Sequence, residues 1–276
     1  MIFKQSAINN QQGFSFHLKE WLPETPALGL VFLLHGLADH SGRFRHVGET
    51  FAREGLAFCA PDLRGNGLSE GKRGHFDSYN QVMDDIDFLL GRASEEYPGI
   101  PTFIYGQSMG GNLALNYCLR RKPAISGVIS SSPWLRLAKA PTAINRIIGS
   151  ALGYFMPSLS LPNRLNADDL THDPEICNIY RNDPLVHGRI SLNTFKIITA
   201  SGEWALSNAE KLSLPVLLLH GTSDSITSFE ASKQFALSCK ANCTFISKRG
   251  LYHELHNEPR NQETIKEMIN WMKIMM

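Results

Sequence analysis

The chain has 276 residues, with 27 basic against 26 acidic side chains and a net charge of +1. That balance excludes partners that select strongly charged surfaces, nucleic acid first among them. With 43% hydrophobic and 19% charged residues, the chain is globular rather than disordered and long enough to bury a large core.

The cysteines, Cys59, Cys118, Cys177, Cys239 and Cys243, form an odd, scattered set. They argue against a disulfide framework and fit a reducing compartment, so the expected location is cytoplasmic. Cys239 and Cys243 have no histidine close by in sequence and make a poor zinc site. The first stretch, "MIFKQSAINNQQGFSF", lacks the long apolar run of a secretory signal, and no segment reaches transmembrane length. Peripheral contact with a membrane stays open.

In chain order, Phe14, Phe16 and Leu18 alternate with polar neighbours and predict a half-buried strand. The runs "LGLVFLLHG", "LAFCAPDLRGNG", "PTFIYG", "ISGVISSS" and "LPVLLLHG" are continuous and apolar, as strands buried on both faces of a parallel sheet are. Val82, Ile86, Leu89, Leu90 and Ala93 predict one helix between them. Leu113, Leu115 and Tyr117 predict a second, and Ile265, Met268, Ile269 and Met272 the last. Alternating strands and helices predict an α/β fold: a mostly parallel central sheet with helices on both faces.

Residues 134–207 break this rhythm and are too long for a connecting loop. They predict a helical cap or lid inserted over the carboxyl ends of the strands, leaving 1–133 and 208–276 as the core. Within it, Ile144, Ile147, Ile148, Ala151, Leu152 and Phe155 recur at helical spacing. Some pack the cap onto the body. The rest predict an apolar tunnel for a fatty chain, with an outer face able to rest on lipid.

The stretch Gly106-Gln107-Ser108-Met109-Gly110 fits G-x-S-x-G, with a strand candidate before it and a helix candidate after it. That is the setting of a nucleophile elbow. Glycines two places either side spare a strained turn from collision and leave the serine Oγ at the top of the sheet. A serine hydroxyl needs a base, and the base an orienting acid, following in the order Ser, acid, His.

His172 and His187 fall in the insertion, and His220 closes a buried strand, where a structural role is expected. "LYHELHNE" lies between the last strand and the last helix and offers His253 as base, with His256 as the fallback. Asp224 lies just beyond "LPVLLLHG" and is the expected acid, with Glu230 the alternative. The oxyanion donors expected from position are the backbone N–H groups of Met109 and Leu37.

"HGLADHSGRF", "PDLRGNGLSEGKRGHFDS", "GQSMGG", "SSPWL", "NDPL", "HGTSD" and "YHELHNE" occur in one order along the chain. In this it resembles the monoacylglycerol lipases and related lysophospholipase-like α/β hydrolases, from about Gly13 to its end. "YFMPSLSLPNRLNADDLTHDPEICNIYRNDPL" resembles that family's lid. The resemblance implies Ser108, Asp224 and His253 as a triad, Leu37 and Met109 as oxyanion donors, and Asp39, Arg43, Tyr180 and His256 around a substrate headgroup. The chain departs from the family at Ala38-Asp39, where glycine-glutamate is usual, and at Asn66 and Gln107, which replace histidines.

The reaction implied is acyl transfer, with no metal or organic cofactor. Its substrate would be an acylglycerol or another single-chain lipid ester. A lysophospholipase or broad carboxylesterase is the near alternative. A ligand-binding member of the fold with little turnover is the more distant one.

Overall fold

The computed structural model of the chain describes residues 1–139, 155–239 and 242–276. The predicted positions Ile144, Ile147, Ile148 and Leu152 lie outside the described residues. The strands, in chain order, are β1 (Ile2–Asn9), β2 (Ser15–Leu22), β3 (Gly29–Leu34), β4 (Leu56–Pro61), β5 (Thr102–Gln107), β6 (Gly127–Ser131), β7 (Ser160–Pro162), β8 (Arg189–Ser191), β9 (Val216–Gly221) and β10 (Cys243–Lys248). Eight of them form one sheet in the order β1-β2-β4-β3-β5-β6-β9-β10, and β7 pairs with β8 in a separate two-stranded ribbon. β1 and β2 run antiparallel to each other, and β2 runs antiparallel to β4. From β4 to β10 every pairing is parallel.

The continuous apolar runs fill β3, β4, β5, β6 and β9, each buried along its whole length. Their alternate side chains part between two cores, as the pleat requires. Leu30, Phe32 and Leu34 of β3 face one core, and Val31 and Leu33 the other. The first core is closed by α2 (Tyr79–Glu96), α3 (Met109–Arg121), α5 (Leu192–Asn208) and α6 (Phe229–Cys239). The second is closed by α1 (Arg45–Arg53) and α7 (Asn261–Met275). The predicted helix faces are the buried ones: Val82, Ile86, Leu89 and Leu90 on α2, and Ile265, Met268, Ile269 and Met272 on α7.

Within 134–207 the structure places α4 (Pro174–Asn182), the β7–β8 ribbon and α5. Pro174 opens α4 one residue after Asp173, whose carboxylate accepts from the amides of Glu175 and Ile176. α5 is anchored on α3: the Asn112 and Asn116 side chains donate to the carbonyls of Ile198 and Ser201. Gly202 lets α5 pass close to the backbone that follows β6, since a Cβ there would lie 2.2 Å from the Leu135 carbonyl oxygen. Among the described residues no helix is long and apolar enough to cross a membrane.

Candidate active site

Ser108 sits between the end of β5 and the first residue of α3, with φ 56° and ψ −116°. A side chain in this region strains the backbone by roughly 1–3 kcal/mol. Three hydrogen bonds hold it there. The Ser108 amide donates to the Ser131 carbonyl (2.9 Å), and its carbonyl accepts from the amides of Asn112 (3.0 Å) and Trp134 (3.0 Å). The flanking glycines are required by space. A Cβ at Gly106 would lie 2.3 Å from the Gly110 carbonyl oxygen, and one at Gly110 only 1.8 Å from that of Leu34. The turn thus fits between β3 and α3 only without those side chains.

The parallel sheet brings the ends of β5, β9 and β10 to one edge. Asp224 follows β9, and its carboxylate is wholly enclosed. Oδ1 accepts from the amides of Ile226 (2.8 Å) and Thr227 (3.0 Å). Oδ2 lies 2.8 Å from His253 Nδ1, which donates to it, since an ionised carboxylate only accepts. Burial disfavours the Asp224 anion, but the charge of His253 and hydrogen bonds from His220 and His253 outweigh it and hold this acid well below the usual carboxylate range. His253 follows β10. Burial opposes its protonation, yet the charge and hydrogen bond of Asp224, with Glu254 and Asp39 beyond, raise it above the ordinary histidine value.

Ser108 and His253 line one cleft together with Gly36, Leu37, Asp39, Arg43, Gln107, Leu165, Leu170, Tyr180 and Glu254. Leu37 lies in the loop after β3. That loop is shaped by the buried His35, whose Nδ1 donates to the Gly36 carbonyl (2.8 Å) while Nε2 accepts from the Leu63 amide (2.9 Å). The tautomer follows from those two partners. Ala38 holds φ 60° in the same loop. Met109 is the first residue of α3, where a helix amide has no intrahelical acceptor.

The polar wall of the cleft centres on the buried Arg43. Its guanidinium donates to both oxygens of Glu254 (2.8 and 2.6 Å), pairs with Asp39 at 3.1 Å, and lies 4.8 Å from the Tyr180 ring centre. Burial opposes the Glu254 anion, but Arg43 overcomes it and pushes its pKa down to about 2. Asp39 Oδ2 is buried with no partner among the described residues.

Of the four predicted headgroup residues, Asp39, Arg43 and Tyr180 reach the cleft wall. His256 lies behind it, wholly buried and stacked on Phe44 at 4.4 Å. Burial pushes its pKa down to about 3, so its ring is neutral. Phe155 is 81% exposed and lines a separate surface cleft with Lys72, Arg73 and Arg189. Glu230, the alternative acid, is the second residue of α6 and exposed.

Sequence reasoning missed Glu254, Thr227 and the part played by His220. Thr227 Oγ1 lies 2.7 Å from Asp224 Oδ2, and His220 Nε2 lies 3.0 Å from the same oxygen. The spacing of His220 to Asp224, one end of a strand to the turn beyond it, was the available signal. Glu254 gave none except adjacency to His253.

A strained serine at a strand-to-helix elbow, sharing one cleft with a histidine held by a buried aspartate, at the carboxyl edge of a mostly parallel sheet, defines an α/β-hydrolase enzyme. The sequence profile described as serine aminopeptidase, S33, matches residues 25–260, and the chain belongs to that family. Its relatives include an uncharacterized abhydrolase domain-containing protein of Dictyostelium discoideum, 36% identical over 261 residues. The match covers 93% of this chain but only 27% of that longer protein. A monoacylglycerol lipase of Mycolicibacterium smegmatis is 30% identical, the match covering 91% of this chain and 90% of that one. The crystal structure of Paleococcus ferrophilus monoacylglycerol lipase superposes with a TM-score of 0.84 at 32% identity, covering 100% of both chains.

Proposed function

We propose that this chain is a serine carboxylic-ester hydrolase acting as a monoacylglycerol lipase. One observation carries the reading: the cleft that joins Ser108 to His253 has, as its other wall, an enclosed arginine already matched by two carboxylates. Acyl transfer needs the first pair. The second feature suits an uncharged alcohol rich in hydroxyl donors, such as glycerol, and leaves little free positive charge for a phosphate. It favours the acylglycerol over the lysophospholipid.

In this reading His253 takes the Ser108 proton as Oγ attacks the ester carbonyl. The N–H groups of Leu37 and Met109 receive the oxyanion. His253 then protonates the leaving glycerol, and a water activated by the same imidazole frees the fatty acid. Asp224 holds the Nδ1–H tautomer and stabilises the imidazolium. Asp39, Arg43 and Tyr180 orient the headgroup, and His256 supports that wall from behind. Residues 134–207 act as the cap over the core of 1–133 and 208–276. Leu165 and Leu170 begin its apolar side. The acyl chain is assigned to Ile144, Ile147, Ile148 and Leu152 on their sequence pattern alone, and Phe155, exposed in its separate cleft, is assigned to a membrane surface, for a cytoplasmic enzyme that meets lipid peripherally.

The test compares hydrolysis of a monoacylglycerol, the matching lysophospholipid and a short nitrophenyl ester, with Ser108→Ala as control. Release of fatty acid from the monoacylglycerol, lost in Ser108→Ala, is expected. Preference for the lysophospholipid would move the headgroup assignment. No turnover of any ester would overturn the catalytic reading.

A further inference from the structure

The acid of the site serves two imidazoles. Asp224 Oδ2 lies 2.8 Å from His253 Nδ1 and 3.0 Å from His220 Nε2, with Thr227 Oγ1 at 2.7 Å. His220 is completely buried near the end of β9, with the Phe229 ring edge-on to it. Its second nitrogen, Nδ1, lies 2.7 Å from Ser232 Oγ on α6. Because a carboxylate only accepts, His220 carries its hydrogen on Nε2. In that tautomer Nδ1 accepts from the Ser232 hydroxyl. A chain of donors therefore runs from Ser232 through His220 to Asp224.

We propose that His220 is a positioning residue for the reaction: a second imidazole that anchors the triad acid and takes part of its accepting capacity, and so limits how strongly Asp224 holds a proton on His253. The proposal rests on the triad reading above.

Two physical effects combine. The Nε2–H of His220 fixes the rotation of a carboxylate whose other oxygen is already held by two amides. It also competes with His253 for one oxygen, and an acceptor shared between donors offers less to each. The groups that face His253 are Asp224 with His220 from the end of β9, Glu254 and His256 from its own loop, and Asp39 from the loop after β3. His220 acts on it through Asp224. A base too strongly paired stays protonated at neutral pH and cannot accept from serine.

The experiment is Ser108-dependent hydrolysis of a nitrophenyl butyrate between about pH 5 and pH 9, where a histidine base titrates. Wild type is compared with His220→Leu and His220→Gln, and Ser108→Ala supplies the blank. In His220→Leu the acid limb of kcat/KM is expected to move up by about half a pH unit or more, about threefold in activity on that limb. In His220→Gln, whose amide can still donate to Asp224, the limb returns toward wild type. An unmoved limb in both, with only a lower plateau, overturns the proposal and leaves a packing role. Activity that survives Ser108→Ala refutes the triad reading instead. If His220→Leu does not fold, imidazole ¹⁵N spectra of the wild type decide. A hydrogen on Nε2 of His220 supports the proposal, and one on Nδ1 alone overturns it.

Discussion

Replacing Glu254 by glutamine should change which esters the cleft accepts more than how fast it cuts a neutral one. Arg43 is shared between Glu254, at 2.8 and 2.6 Å, and Asp39, at 3.1 Å. Glu254, held as the anion by Arg43, adds one negative charge to the wall. Opposite a phosphate about 6 Å away, at an effective dielectric of about 20, that charge costs about 3 kcal/mol per unit of phosphate charge. This corresponds to about a hundredfold in kcat/KM. Glutamine keeps an acceptor for Arg43 and removes the charge. The preference for a monoacylglycerol over the lysophosphatidate of the same acyl chain should therefore fall by about a hundredfold at low salt, and by less as screening grows. The assay is kcat/KM for the two lipids on wild type and E254Q. Nitrophenyl acetate, which has no headgroup to read, corrects for any damage to the adjacent His253. A lipid ratio that the substitution leaves unchanged refutes the charge argument.

Other outcomes follow from the same geometry. Asp224→Asn sets an amide against two donor imidazoles, so the base loses its tautomer, and kcat should fall by about 10⁴, read by steady-state kinetics. Asp224 favours the protonated His253, and that form cannot act as base. Activity should thus rise with pH along a limb centred above the roughly 6.5 of a free imidazole; a limb below that value contradicts the assigned base. Gly110→Ala would place a methyl 1.8 Å from a carbonyl oxygen of β3, so the variant should yield no soluble, active enzyme. Ser108→Gly relieves a backbone that Ser108→Ala leaves strained, and should be the more stable of the two by about 1 kcal/mol, or about 2–4 °C in Tm.

The buried parallel strands were legible because their apolar runs have no polar face to hide, and β3, β4, β5, β6 and β9 all sit where those runs lie. β1 was not, since both of its faces are exposed and no burial period marks it. The elbow was legible through its glycines, whose missing side chains are demanded by two carbonyl oxygens. Ser108, Asp224 and His253 converge because topology delivers the ends of β5, β9 and β10 to one edge. Glu254 was hidden because its importance lies in a partner distant in sequence, Arg43 across the cleft, whereas His220 was passed over as a strand end although its partner Asp224 stands four residues on. The resemblance assigned His256 to the headgroup, but a ring's direction is not written in sequence. Here it turns inward onto Phe44.

The loop carrying His253 is fastened to residues 170–172, which belong to the proposed cap. The Glu254 amide donates to the Leu170 carbonyl (2.7 Å), the Thr171 hydroxyl to the Asn257 carbonyl (2.8 Å), and the His172 amide to the enclosed Glu258 carboxylate (3.0 Å), which the Tyr252 amide also meets (2.6 Å). Residues 170–172 and 252–258 are therefore a single graft unit. A segment 134–207 transplanted from a relative to alter chain-length preference would arrive with its own version of residues 170–172. It would seat properly only if the matching segment after β10 were exchanged with it.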